Sequence, residues 1–183
     1  MILWFRHLPE LHMDLVEWNP FIQHRWFREN YMKLVYFLQF VIFLFPFIYG
    51  GWLPHVHLFV LILIGILVFI THEALHIIVI YKKGDISLTF SGIFFWLHTN
   101  AILSKLRFWF FMSLPFIALS VLPFIISFFA TGEFKSILFF ISWINAMFSA
   151  SDIVNSFLIA IKPKNSLFRN GYYRVQSDRT LNT

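Results

Sequence analysis

With 59% hydrophobic residues, 21% aromatics and only 13% charged, this 183-residue chain is too apolar to clothe itself in water-compatible side chains. Soluble domains carry about a quarter charged residues, so a free-standing soluble enzyme is excluded and an integral membrane protein is expected. The net charge is +5, but the Lys and Arg residues lie between apolar runs rather than in one patch, which argues topology and not nucleic-acid binding.

The expected fold is an all-α polytopic membrane protein forming a single integral domain over residues 1–183. Its first segment, up to about Asn30, mixes aromatics and charges. Leu8, Leu11, Leu15 and Val16 at helical spacing suggest an interfacial helix before Pro20. Four transmembrane helices are expected over about 34–50, 57–81, 108–130 and 134–161. A short cytoplasmic β-hairpin at 85–99 is expected between the second and third, because Ile86, Leu88 and Phe90 alternate with Ser87, Thr89 and Ser91. Pro115 and Pro123 predict a kinked or locally unwound third span. A polar, basic tail over 162–183 closes the chain.

Thirteen of the 14 Lys and Arg residues fall before the first span, around the hairpin or in the tail, and one, Lys135, falls in the last turn. The positive-inside tendency then puts both termini and the hairpin in the cytoplasm. The chain has no cysteine, which removes disulfide and thiolate chemistry.

Inside the second span lies Thr71-His72-Glu73-Ala74-Leu75-His76. On a helix, imidazoles at i and i+4 stack on one face and can share one zinc ion, and the intervening Glu73 is placed to take a proton from water as general base. Of nine acidic residues, only Glu73 and Asp152 fall within spans, where a carboxylate is costly unless it is paired or coordinates a metal. Glu73 precedes Lys82 by nine residues and Asp152 precedes Lys162 by ten. At about 1.5 Å per residue both lie roughly 14–15 Å from the cytoplasmic ends of parallel helices. Asp152 is therefore expected as third zinc ligand, with His98 as the alternative. Asn145, Ser149, Asn155 and Ser156 are candidates to orient ligands or bind substrate, or equally to join helices.

Phe69–His76 in a span, the basic hairpin after it, Ser104-Lys105-Leu106-Arg107-Phe108 leading into Leu114-Pro115-Phe116, and Ser151-Asp152-Ile153 together resemble a family of small bacterial zincin membrane peptidases. These are similar to the site-2 protease group of intramembrane metalloproteases. The resemblance covers most of residues 34–161 and implies zinc on His72, His76 and Asp152, Glu73 as base, and a peptide or transmembrane-helix substrate in the lipid bilayer. The chain departs from the larger site-2 proteases in lacking their Asn-Pro-Asp-Gly motif and an appended regulatory domain. Two other classes stay open at this point: a non-proteolytic membrane protein binding haem or another metal as a sensor, and a small transporter relaying protons through Glu73 and Asp152.

Overall fold

The computed structural model describes residues 2–5, 17–49, 54–84, 86–91 and 94–176. In chain order the elements are β1 (Ile2–Phe5), β2 (Asn19–Pro20), α1 (Arg25–Tyr49), α2 (Leu58–Ile80), β3 (Ile86–Ser91), β4 (Phe94–Thr99) and β5 (Leu103–Ser104). There follow α3 (Lys105–Phe116), a π-helical turn (Ile117–Val121), α4 (Leu122–Ser127), α5 (Gly132–Phe148), α6 (Ala150–Ala160), β6 (Ser166–Arg169) and β7 (Tyr172–Val175).

Three helical runs, Arg25–Ile48, Leu58–Ile80 and Lys105–Ser127, are long and apolar enough to cross a membrane. At about 1.5 Å per residue, 23 residues of α2 reach roughly 34 Å, more than the hydrocarbon thickness of a bilayer. Only 11% of the apolar stretch of α2 is buried within the protein, and Leu58, Phe59, Ile62, Leu63, Ile66, Leu67 and Ile70 lie exposed on its outer surface. Such a surface is stable against lipid and not against water.

The fourth expected span is not one helix. α5 and α6 meet at Ser149 with a bend of 65°, so 134–161 is a broken pair that counts as a crossing only if taken together. Ser149 leaves helical geometry at φ −81°, ψ 6°, inside a run of small residues, Ser149-Ala150-Ser151. The third run keeps its path through both prolines by widening into the π-helical turn rather than by unwinding. α1 begins at Arg25, nine residues before the expected start, and absorbs part of what was read as an interfacial segment. The expected interfacial helix around Leu8–Val16 lies outside the described residues.

The hairpin is present: β3 and β4 pair antiparallel from Ile86↔Thr99 to Ser91↔Phe94. β1 adds a parallel strand on the other edge of β3, in a sheet ordered β1-β3-β4. The hairpin is fastened at its base, where Ile86 joins Ile80, Ala101, Leu103 and Phe111 in a buried cluster. Gly84 allows this closure, since a Cβ there would meet the Asn100 side chain at 2.6 Å and Ala101 at 3.0 Å.

The tail expected over 162–183 is instead folded through residue 176. β6 and β7 form a second hairpin, in a four-stranded sheet ordered β2-β7-β6-β5. Its turn is Asn170-Gly171, with φ +51° and +77°, the left-handed pair that a two-residue hairpin requires. Phe168 and Phe108 meet at 4.9 Å with their rings tilted 36° to each other, each meets Phe21 edge-on at 5.9 Å, and the Lys162 ammonium lies 4.3 Å over the Tyr173 ring. Loss of water around Lys162 holds its pKa below the usual lysine value. The Lys105 ammonium donates to the carbonyls of Ala160 (2.7 Å) and Lys162, tying the start of α3 to the end of α6.

Because nothing lies within 4 Å of a Cβ built on Gly171, a Gly171→Ala substitution carries only the left-handed backbone cost. It should lower stability by about 1–2 kcal/mol, read as a downward shift of the thermal melt in detergent.

Candidate metal centre

α2 carries His72 and His76 one turn apart on the face it turns toward α3 and α5, and both are buried. α6 packs on α3 from the other side and brings in Asp152, also buried. The break at Ser149 places Asp152 in the first turn of α6, where the helix N-terminus favours negative charge. The Nε2 atoms of His72 and His76 lie 3.2 Å apart, and Asp152 Oδ2 lies 3.1 Å from the first and 3.4 Å from the second.

Hydrogen bonds on the far sides of the rings fix which atoms face inward. His76 Nδ1 is 2.6 Å from the Phe111 carbonyl, which can only accept, so this nitrogen carries the proton. Asn145 Nδ2 donates to the Pro115 carbonyl at 3.1 Å and to Ser120 Oγ at 2.8 Å, with a longer contact to Ser149 Oγ at 3.3 Å. That orientation turns Asn145 Oδ1 toward His72 Nδ1 at 2.9 Å, so His72 also donates from Nδ1. In the neutral form of each ring, Nε2 then presents a lone pair to the other ring and to a carboxylate oxygen that has no hydrogen-bond partner among the described residues. Three converging acceptors repel unless a cation lies among them.

The spacing fits a metal ion. A tetrahedral zinc site with bonds of about 2.0–2.1 Å has ligand-to-ligand edges of about 3.3 Å, against the 3.1, 3.2 and 3.4 Å found here. Two neutral imidazoles and one carboxylate are zinc's usual borderline-hard donors. These three residues form the group of possible metal ligands found among the described residues. Glu73, one position along α2, is half-buried and in electrostatic range of both histidines and Asp152.

A family model described as "Putative zincin peptidase" matches residues 65–167, more than half of the chain. The chain belongs to this family. No curated protein and no solved structure matches it. Membership in a zincin family implies zinc, and His72, Glu73, His76 and Asp152 all lie inside the matched range. The zincin match begins at Gly65, within α2, and ends at Leu167, within β6.

The other candidates separate. Asn145 touches His72 directly, and Ser149 contacts Asn145. Asn155 makes its contacts elsewhere, Oδ1 accepting from the Tyr31 hydroxyl at 2.9 Å and Nδ2 lying 3.9 Å from Met112 Sδ. The buried Ser156 hydroxyl has no hydrogen-bond partner among the described residues. His98 pairs by its backbone with Ser87 in the hairpin, and its side chain lies outside what is described. The residues that sequence reasoning passed over are Phe111, which acts through its backbone oxygen, and Ser120. The first is invisible to any side-chain motif. The second lies in the π-helical turn, whose altered pitch defeats helical spacing.

Asp152→Ala should weaken zinc binding by about 100-fold or more, measured by chelator competition on purified protein, and unchanged affinity would remove Asp152 from the ligand set.

Proposed function

We propose that this chain is a zinc metallopeptidase of the membrane, similar to site-2 proteases, that hydrolyses peptide bonds in or beside membrane-embedded segments. The observation that carries this reading is the convergence of His72 Nε2, His76 Nε2 and Asp152 Oδ2 at tetrahedral spacing, with both Nδ1 protons committed elsewhere.

His72, His76 and Asp152 would hold the ion, leaving a fourth direction for water or substrate. When bound, zinc supplies Lewis acidity, acidifying water and polarising a scissile carbonyl. Glu73 takes the proton from the attacking water and returns it to the leaving amine. Asn145 and the Phe111 carbonyl keep the two rings in the tautomer that ligation needs. The apolar helices around the site limit bulk water, which strengthens each of these interactions.

Haem ligation is disfavoured by the same geometry: axial histidines approach iron from opposite sides, whereas these two Nε2 atoms lie 3.2 Å apart facing one point. The zincin family likewise supports hydrolysis over proton transport.

A substrate helix hides its peptide groups in internal hydrogen bonds and must be unwound before attack. The hairpin β3–β4 is suited to hold an extended segment by strand addition. Since β1 occupies one edge of β3, the outer edge of β4 is the available one among the described residues. Orientation follows the distribution of Lys and Arg, with both termini cytoplasmic and the site opening toward that face.

Glu73→Gln should retain stoichiometric zinc while losing turnover by about 10²–10⁴-fold, and cleavage persisting at the wild-type rate would remove Glu73 as base. Deleting the hairpin residues 86–99 should spare zinc binding but abolish cleavage of a helical substrate; persistent cleavage would refute the clamp.

A further inference from the structure

The site's outer hydrogen bonds share an origin that no side-chain motif reveals. In an α-helix the carbonyl of residue i receives the N–H of residue i+4. For Phe111 that residue is Pro115, which has no N–H. The Phe111 carbonyl is therefore left over within α3, and it is this oxygen that accepts the His76 Nδ1 proton at 2.6 Å. Pro115 also uses its own carbonyl, which accepts from Asn145 Nδ2 at 3.1 Å and so points Asn145 Oδ1 at His72. Pro115 is fully buried between these groups.

The same arithmetic operates elsewhere in the chain, away from the site. Pro46 in α1 leaves the Ile42 carbonyl without its helical donor, and the Trp143 indole Nε1 donates to that oxygen at 2.9 Å. A carbonyl released by proline thus twice becomes the acceptor for a ring N–H from a neighbouring helix. In α1 the result is a helix joint; in α3 the ring is a candidate metal ligand.

We propose that Pro115 is a positioning residue of the metal centre, one side chain that orients both histidine rings: His76 through the carbonyl it frees and His72 through Asn145. The proposal rests on the metal reading of the site, and it is read in the zinc-loaded protein. Restoring an N–H at position 115 lets the helix reclaim the Phe111 oxygen. His76 then loses the acceptor that anchors its Nδ1 side, and its ring no longer holds Nε2 toward the ligand point.

The test compares wild type, Pro115→Ala and Pro46→Ala as full-length protein in detergent. Imidazole nitrogen-15 NMR shifts are recorded on the zinc-loaded protein, zinc affinity is measured by chelator competition, and thermal melts are taken. In zinc-loaded wild type both histidines should show a protonated, hydrogen-bonded Nδ1 and a metal-bound Nε2. Pro115→Ala should move the His76 Nδ1 shift away from its hydrogen-bonded value and weaken zinc about 10–100-fold, with a melting temperature equal to or above wild type because a helix-interior proline has been removed. Pro46→Ala should leave the histidine shifts and zinc affinity unchanged.

Zinc held through Nδ1 of His76 in wild type, or a Pro115→Ala protein with the wild-type His76 Nδ1 shift and zinc affinity, would overturn the proposal. So would zinc loss equal in the two proline variants, which would indicate a general packing effect. Wild type binding no zinc would sink the metal reading and the proposal with it, whereas zinc bound equally by wild type and Pro115→Ala would sink the positioning role alone. Should Pro115→Ala fail to fold, zinc-loaded wild type decides, a His76 Nδ1 without a hydrogen bond overturning the proposal.

Discussion

Two imidazole lone pairs and a carboxylate oxygen meet within 3.4 Å in the interior of an apolar helical protein. With neutral rings each is an acceptor, and the carboxylate oxygen has no donor among the described residues. Water would soften their repulsion at a surface, but the three residues are buried, and effective dielectric falls with burial. The arrangement is stable only around positive charge. Much of the surrounding structure follows from that constraint: the helix that carries two ligands at i and i+4, the break that delivers the third, and the outer hydrogen bonds that keep protons off the inner nitrogens.

Those outer bonds show how an apolar chain furnishes polar groups without adding polar side chains, which are expensive inside spans. The third helical run uses prolines and a π-helical turn to release backbone oxygens, and neighbouring helices supply the donors. Ser142 on α5 donates to the Ser120 carbonyl at 2.8 Å, and Asn145, one turn on, donates to Ser120 Oγ and the Pro115 carbonyl. π-helical turns are rare and recur at functional sites, and this one lies directly over the residue that orients His72.

The chemistry was more readable in the sequence than the path of the backbone. His72 and His76 announce themselves by spacing, and Asp152 is one of only two acids inside the apolar runs. Alternating polarity located the hairpin at 86–99. The 65° break at Ser149 escaped because continuous hydropathy says nothing about helix direction, and Ser149-Ala150-Ser151 contains neither proline nor glycine. The second hairpin was readable and was passed over: Asn170-Gly171 between Phe168 and Tyr172 is a strong turn signal, outweighed by the basic composition of the tail. The parallel pairing of β1 with β3 joins segments more than 80 residues apart, which local pattern cannot specify.

The depth argument picked out Asp152, which the structure brings beside His72 and His76, although its premise of a straight fourth helix does not hold. Counting residues from Lys162 measures only α6, which is intact from Ala150 to Ala160, so the break lies beyond the counted stretch. The break matters on the other side, toward Asn145. Asn145 and Asp152 contact opposite nitrogens of the single His72 ring, at 2.9 and 3.1 Å. On a straight helix, seven residues rise about 10.5 Å, and both side chains would project from one face in the same direction. Bending the chain at Ser149 turns the two side chains toward each other around the ring. A proton donated from one side of His72 and a carboxylate approaching from the other are thus consequences of one kink. Ser149 sits at the joint, its N–H bonding back to the Asn145 carbonyl at 2.8 Å and its own carbonyl accepting from Ile153 at 2.9 Å, so the backbone stays hydrogen-bonded on both sides of the bend.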